Sequence, residues 1–169
     1  MRLQSGQIRV LQLQPGSSSA IFCTLKSVFL DTKPYYEAIS YAWGDASNTA
    51  RILVDGKNVR VPQNLESALR HLRLPSDPLA LWADSVCINQ DDTVERSEQV
   101  AMMGKIFKCC SSVYIWLGVP AVTTIKTDKD LSNDSRDLIS IEAEHVFNYQ
   151  PAGECISQAT RKEVMLTIC

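Results

Sequence analysis

Histidine is scarce in this chain, with only His71 and His145 among 169 residues. Six cysteines are present (Cys23, Cys87, Cys109, Cys110, Cys155 and Cys169), yet none forms a C-x-x-C pair and both histidines are distant from them. Structural zinc sites show closely spaced ligand pairs, so no metal site is expected. An excess of one charge is also missing: 17 Lys and Arg against 19 Asp and Glu leave a net charge of −2. A nucleic-acid partner would call for a basic stripe, so none is expected. The longest uncharged stretch, residues 109–125, contains Gly118 and Pro120 and is short for a membrane span. Residues 1–16 are too polar for a secretory signal. Together these absences point to a cytoplasmic, soluble protein with reduced thiols, most of them buried as small apolar groups.

What is present suits one globular domain: 169 residues, 45% hydrophobic and 21% charged, with no internal repeat. The chain is organised around residues 79–118. An apolar run at 79–83 breaks into the polar loop DSVCINQDD at 84–92, followed by a helical pattern over 94–110 and a second apolar run at 113–117. That order reads as one parallel crossover unit, and ligands of such sheets sit beyond the carboxyl ends of the strands.

Around this unit, residues 8–13, 20–25 and 27–30 have extended character and predict antiparallel strands at the start. Residues 35–41 form a further strand candidate that runs into Ala42-Trp43-Gly44-Asp45, where Gly44 permits a sharp bend. Trp43 at that bend is either a core or lid aromatic or a stacking wall for a flat ligand. Residues 51–61 predict a hairpin turning at Asp55-Gly56. Asn64 is expected to cap a helix over 64–73, with His71 near its end or on the surface. In the 94–110 helix, Val100, Met103, Phe107 and Cys110 form the expected apolar stripe, with Gln99, Met102 and Ile106 beside it. Asp92 and Glu95 have the spacing of a capping box, which gives Glu95 a purely structural reason to exist. After Gly118 the chain turns polar, with helical patterns near 135–147 and 158–168. Residues 1–118 therefore read as a core, and 119–169 as an unassigned extension that is either part of the domain or its truncated end.

The segments YEAISYAWGD at 36–45, LWADSVCINQDD at 81–92, ER at 95–96 and VYIWLG at 113–118, with the hairpin and the helix after it, agree in order and spacing with a known family. They resemble the fungal heterokaryon-incompatibility (HET) domain. The resemblance implies a role in fungal non-self recognition, as an effector of programmed cell death. It also implies a distant similarity to Toll/interleukin receptor (TIR) domains, hence a flavodoxin-like α/β fold: a parallel sheet flanked by helices, here with the hairpin and N-terminal strands added. Some TIR domains assemble with one another, and some cleave NAD at the nicotinamide–ribose bond.

Two readings of the loop follow. In the enzymatic one, NAD is a substrate and no other cofactor is implied. Glu95 is the catalytic carboxylate, Asp84 orients a ribose hydroxyl, Asn89 or Gln90 holds the nicotinamide amide, Trp43 stacks on a ring and Arg96 binds phosphate. Ser40, Gly44 and Asp45 stand at the end of the first parallel strand, and Cys87 and Asp92 complete the candidate ligand set; Cys87 is a poor nucleophile with no histidine nearby. In the interaction reading, Asp84 and Asn89 bond backbone groups, Asp92 and Glu95 cap a helix and Arg96 pairs with an acidic neighbour. The domain then works through protein partners or self-association. A third reading is a silent, truncated copy.

Overall fold

The computed structural model describes residues 2–118 and the strand Val146–Tyr149. Alternating β-branched and aliphatic residues make β1 (Gln7–Leu13) and β2 (Phe22–Phe29), which pair antiparallel over the full length of β1, from Gln7 opposite Phe29 to Leu13 opposite Cys23. The stretches expected separately near Ala20 and Ser27 merge into the single β2. Ile8, Val10, Leu11 and Leu13 are all buried although they alternate between faces, because β1 is an inner strand between β2 and β6.

β4 (Thr49–Val54) and β5 (Lys57–Pro62) form the expected hairpin, with Ile52 opposite Val59. Asp55 and Gly56 have φ of 49° and 75°, the left-handed pair that a tight two-residue turn requires. Helix α1 (Gln63–Leu72) starts directly after Pro62 and buries Leu65, Ala68 and Leu69. The expected cap at Asn64 is corrected: Pro62 holds the cap position without a side-chain bond, and Asn64 sits one residue inside the first turn, turned toward another loop.

The crossover unit is present as β6 (Leu79–Trp82), the short α2 (Asp84–Cys87), α3 (Thr93–Cys109) and β7 (Val113–Trp116). Between β6 and β7 lies β3 (Glu37–Tyr41), parallel to both. The eight strands run β5-β4-β2-β1-β6-β3-β7-β8, with β8 (Val146–Tyr149) antiparallel to β7. The sheet is therefore mixed: the expected parallel arrangement holds for β6-β3-β7 and for a short β2–β4 contact, and the other pairs are antiparallel. The helical pattern expected over 135–147 is corrected at its end, where Val146 and Phe147 belong to β8, as β-branched and aromatic residues favour. The remainder of that expectation, and the helix expected at 158–168, lie outside the described residues.

Helices cover the sheet on both faces. Ala38 is level with Trp82 and Tyr41 with Trp116, and residues three apart on one strand point to opposite faces. Trp82 packs edge-on against Phe107 of α3, whereas Trp116 meets His71 of α1. The expected stripe of α3 holds for Met103 and Phe107, which pack against the core, and for Cys110, which is buried, and fails at Val100. Val100 is 54% exposed, and the buried line runs through Glu95, Gln99 and Ile106. Polar partners on β1 fix that rotation, since Arg9 binds Glu95 and the carbonyl of Gln7 accepts from Gln99.

Candidate functional site

Parallel strands bring the ends of β3 and β6 to one edge of the sheet, where open α/β sheets hold ligands. Past β3 the chain turns through Ala42-Trp43-Gly44, with Gly44 at φ 72°, and the Asn64 amide donates to the Ala42 carbonyl at 3.0 Å. Past β6 the chain enters α2 at Asp84. The two turns meet on that carboxylate. Its Oδ1 accepts from the Tyr41 hydroxyl at 2.9 Å and from the Ser85 N–H at 2.8 Å, and its Oδ2 accepts from the Trp43 indole at 3.0 Å. The Tyr41 hydroxyl also lies 2.6 Å from Ser85 Oγ. A phenol has one proton and a carboxylate cannot donate, so that proton goes to Asp84 and Ser85 donates to the phenol oxygen. Burial, with the Asp84 charge alongside, pushes the Tyr41 phenol far above its ordinary range.

Beside this clasp opens a cleft of about 220 Å3. Ile39, Ser40 and Tyr41 form one wall, Trp82 and Asp84 a second, and Met103 and Phe107 of α3 a third. Trp82 is completely buried, and its indole N–H has no acceptor among the described residues. Leaving such a donor unpaired costs about 1–3 kcal/mol.

The 84–96 loop is held from the opposite side. Glu95 is 1% exposed and takes two hydrogen bonds from Arg9, at 2.5 and 3.0 Å, with a third from the Asn89 N–H at 2.9 Å. The hydrogen bond from Arg9, helped by the Asn89 N–H, holds its carboxyl below the usual range against the opposing effect of burial. Arg9 also donates to the Cys87 carbonyl at 3.2 Å. Asp92 caps α3, its Oδ1 accepting from the N–H groups of Val94 and Glu95 at 3.0 Å each. The Gln90 amide donates to the Asp84 carbonyl at 2.9 Å, and Arg96 donates to the Gln90 carbonyl at 3.1 Å. Asn89 Oδ1 accepts from the Asp91 N–H at 3.2 Å. Burial pushes the Cys87 thiol up to about 12.

Comparison with known proteins agrees with this reading of the motifs. The sequence profile described as heterokaryon incompatibility protein (HET) matches residues 36–165. The chain belongs to the HET family. Heterokaryon incompatibility protein 6, OR allele, of Neurospora crassa is 39% identical over 133 residues, which cover 70% of this chain and 19% of that protein. The chain thus matches about a fifth of the length of that relative. No solved structure matches it. The family match begins at Tyr36, after β1 and β2, and continues past Gly118.

Within this HET chain, the candidates named from sequence fall into two groups. Asp84 and Ser40 line the cleft, and Trp43 is tied to its edge through Asp84. Gly44 and Asp45 lie in the turn beyond, where Asp45 folds onto its own loop and accepts from the Ser47 N–H and hydroxyl at 2.8 Å each. Those bonds lower the Asp45 carboxyl. Glu95, Cys87, Asn89, Gln90, Asp92 and Arg96 are not among the residues lining the cleft. Two finer expectations are corrected. Glu95 does not close a reciprocal box on Asp92, because Arg9 and Asn89 take its oxygens. Arg96 meets a backbone carbonyl, not an acidic neighbour. Cys87 is fully buried, which pushes its thiol up to about 12 and agrees with the expectation that it is a poor nucleophile.

Sequence reasoning missed Tyr41, Trp82 and Arg9. Arg9 carried a usable signal: a lone cation in an apolar strand, on the same side as Leu11 and Leu13, requires a buried acid. Among the described residues, no group of three or more His, Cys, Asp or Glu side chains is placed to hold a metal ion, and no helix is long and apolar enough to cross a membrane.

Proposed function

We propose that this chain is the incompatibility domain of a cytoplasmic fungal protein of non-self recognition, and that it triggers cell death by docking to partners or to copies of itself. The observation that carries this reading is the engagement of the site's carboxylates with the protein's own donors. Glu95 is held by Arg9 and the Asn89 N–H, Asp84 by Tyr41, Trp43 and Ser85, and Asp92 by the start of α3. Groups bound in this way shape and stiffen a surface. The test expresses the full chain in a fungal host and follows both killing and self-association. Folded Asp84→Asn protein that keeps both supports docking. Loss of killing with self-association intact overturns it.

A second reading is favoured by one observation, the cleft at the carboxyl ends of β3 and β6. The β6-β3-β7 trio is the part of the sheet on which a flavodoxin-like, TIR-like comparison rests, and on that comparison the domain would cleave NAD. Asp84 then replaces Glu95 as the carboxylate nearest the reacting ribose, because Asp84 borders the cleft. Nicotinamide release from NAD by the full chain, lost in folded Asp84→Asn, supports this reading. No turnover in any assembly state ends it.

A further inference from the structure

We propose that the open edge of β5 takes an extended acidic segment of a partner protein, which adds to the sheet as a further strand and lays its carboxylates on Arg60 and Arg51. Alternation sorts the side chains of the hairpin. α1 packs against β4 and β5, and Ile52, Val54 and Val61 are buried, whereas Arg51, Asn58 and Arg60, which point the other way, are exposed. Register sets Arg51 directly opposite Arg60. Like charges so placed repel and weaken a sheet. Among the described residues, neither arginine has a hydrogen bond or an ion pair to offset that repulsion. The next row on the same face runs Asn58, Leu53 and Phe22, with Leu53 half-buried and Phe22 45% exposed. The face thus offers two unengaged guanidinium forks beside an apolar step.

The backbone beside them is open as well. β5 stands at the end of the strand order. Leu53 gives its N–H to the Ile21 carbonyl at 2.9 Å, on the side away from β5. In an antiparallel ladder, residues directly opposite one another share that sense. Asn58 and, two residues on, Arg60 therefore turn their N–H and carbonyl groups away from β4. No described group accepts from the N–H of either. A strand laid along this edge finds a donor and an acceptor at every second residue, and its own alternate side chains rise on the face of Arg60. Carboxylates there form charge-assisted bonds with the arginines. Charge also selects the occupant. A second copy of β5 brings more cations to Arg60, and Lys57 and Pro62 at the two ends of the strand discourage that pairing further. A nucleic acid calls for a longer run of cations than this pair. An acidic strand answers both the open backbone and the unpaired charge. The surface gives the docking reading a partner and rests on it.

The experiment titrates the full chain, labelled with nitrogen-15, with a short peptide that alternates glutamate with valine and threonine. Parallel titrations use versions with glutamine or lysine in place of glutamate. The expected result is a saturable shift of the Asn58 and Arg60 amide signals by the glutamate peptide, with slowed hydrogen exchange at both and a dissociation constant of about 0.1–1 mM. The glutamine peptide binds at least about tenfold more weakly. Arg51→Glu together with Arg60→Glu turns the preference to the lysine peptide. Asn58→Pro removes one edge donor, a change that edge strands tolerate, and lowers affinity at least about tenfold with both arginines in place. If Asn58→Pro fails to fold, a glutamate peptide N-methylated along its backbone tests the same bonds on unaltered protein and is expected not to bind. Amide signals unmoved at about 10 mM peptide overturn the proposal, as do equal binding of the glutamine peptide and full affinity in folded Asn58→Pro or of the N-methylated peptide. Dimerisation of the chain, or a single-stranded oligonucleotide, that moves the same signals more than the peptide does overturns it too. Peptide binding is read without killing, so its failure leaves the docking reading to another surface. Failure of that reading in Asp84→Asn protein leaves the result at β5 unaffected.

Discussion

Arg9 and Glu95 are 86 positions apart in the chain, and their side chains meet in a two-pronged ion pair with bonds of 2.5 and 3.0 Å. The pair joins β1 to the first turn of α3 and so sets where the 84–96 loop lies. It is a buried pair, with 14% of the Arg9 side chain exposed and 1% of that of Glu95. Removing one member of such a pair leaves a charge without a partner and costs about 3–5 kcal/mol. Arg9→Met is expected to lower stability by that amount in urea titration. The double variant with Glu95→Leu is expected to recover most of the loss, because neither charge is then stranded. If Arg9→Met unfolds at the wild-type urea concentration, the pair has no such role.

The same pair predicts an acid limb. The folded-state value of Glu95 lies below its ordinary value of 4.5, so its contribution to stability is full above that pH and is lost as pH falls through the folded value. Other carboxylates titrate in this window, and the informative quantity is the difference between variants. Wild-type protein is expected to lose stability more steeply below about pH 4.5 than Glu95→Gln does. Parallel curves would assign the acid sensitivity elsewhere.

The clasp at the strand ends predicts a local change together with a stability change. Trp43 is 45% exposed, and its one polar tether is Asp84. Asp84→Ala is expected to cost about 1–3 kcal/mol, since the Tyr41 hydroxyl loses its acceptor, and to shift indole emission to the red as Trp43 swings into water. Tyr41→Phe removes the phenol's bonds with Asp84 and Ser85 and keeps Trp43 in place. A double-mutant cycle on Tyr41 and Asp84 is expected to show a coupling of about 0.5–3 kcal/mol, and additive losses would mean that the two do not interact.

The sequence made the strands, the hairpin at Asp55-Gly56 and both long helices legible, because each rests on local pattern and turn chemistry. It also brought Trp43 and Asp84 into one hypothesis, since strand ends in parallel units gather at one edge. It misjudged what depends on distant partners. Glu95 looked available because its partner Arg9 comes 86 residues earlier. Asn64 looked like a cap because nothing local announces that its amide reaches the Ala42 carbonyl. The unpaired N–H of Trp82 has no sequence signature, for it arises only from what fails to pack against it.

Thiol chemistry supplies a separate check on the loop. Cys23, Cys87 and Cys110 are buried and Cys109 is exposed. Burial raises Cys23 and Cys87 to about 12 and Cys110 to about 11. At pH 8 a thiol near 12 is ionised to only about one part in ten thousand, so alkylation of native protein is expected to mark Cys109 and spare these three. Unfolding in denaturant is expected to make all six cysteines of the chain react. Rapid native labelling of Cys87, read by peptide mass spectrometry, would reopen its place as a nucleophile.

On α3 the sequence pattern and the structure differ at Val100, and substitutions along the helix test the orientation. If Val100 belonged to the core stripe, Val100→Asp would bury a charge and unfold the domain. With Val100 54% exposed, the change is expected to stay within about 0.5 kcal/mol of wild type. Ile106 is completely buried, in the core that also contains Trp82, and Ile106→Ala is expected to cost about 2–5 kcal/mol through lost contacts and the cavity left behind. Gln99→Leu lies between them: its carbonyl oxygen has no partner to lose, but its amide donates to the Gln7 carbonyl at 2.8 Å, so a loss of about 1–3 kcal/mol is expected from that stranded acceptor. Urea midpoints for the three variants then rank Val100→Asp mildest and Ile106→Ala most severe. A severe Val100→Asp with a mild Ile106→Ala would turn Val100 toward the core and remove Glu95 from the reach of Arg9.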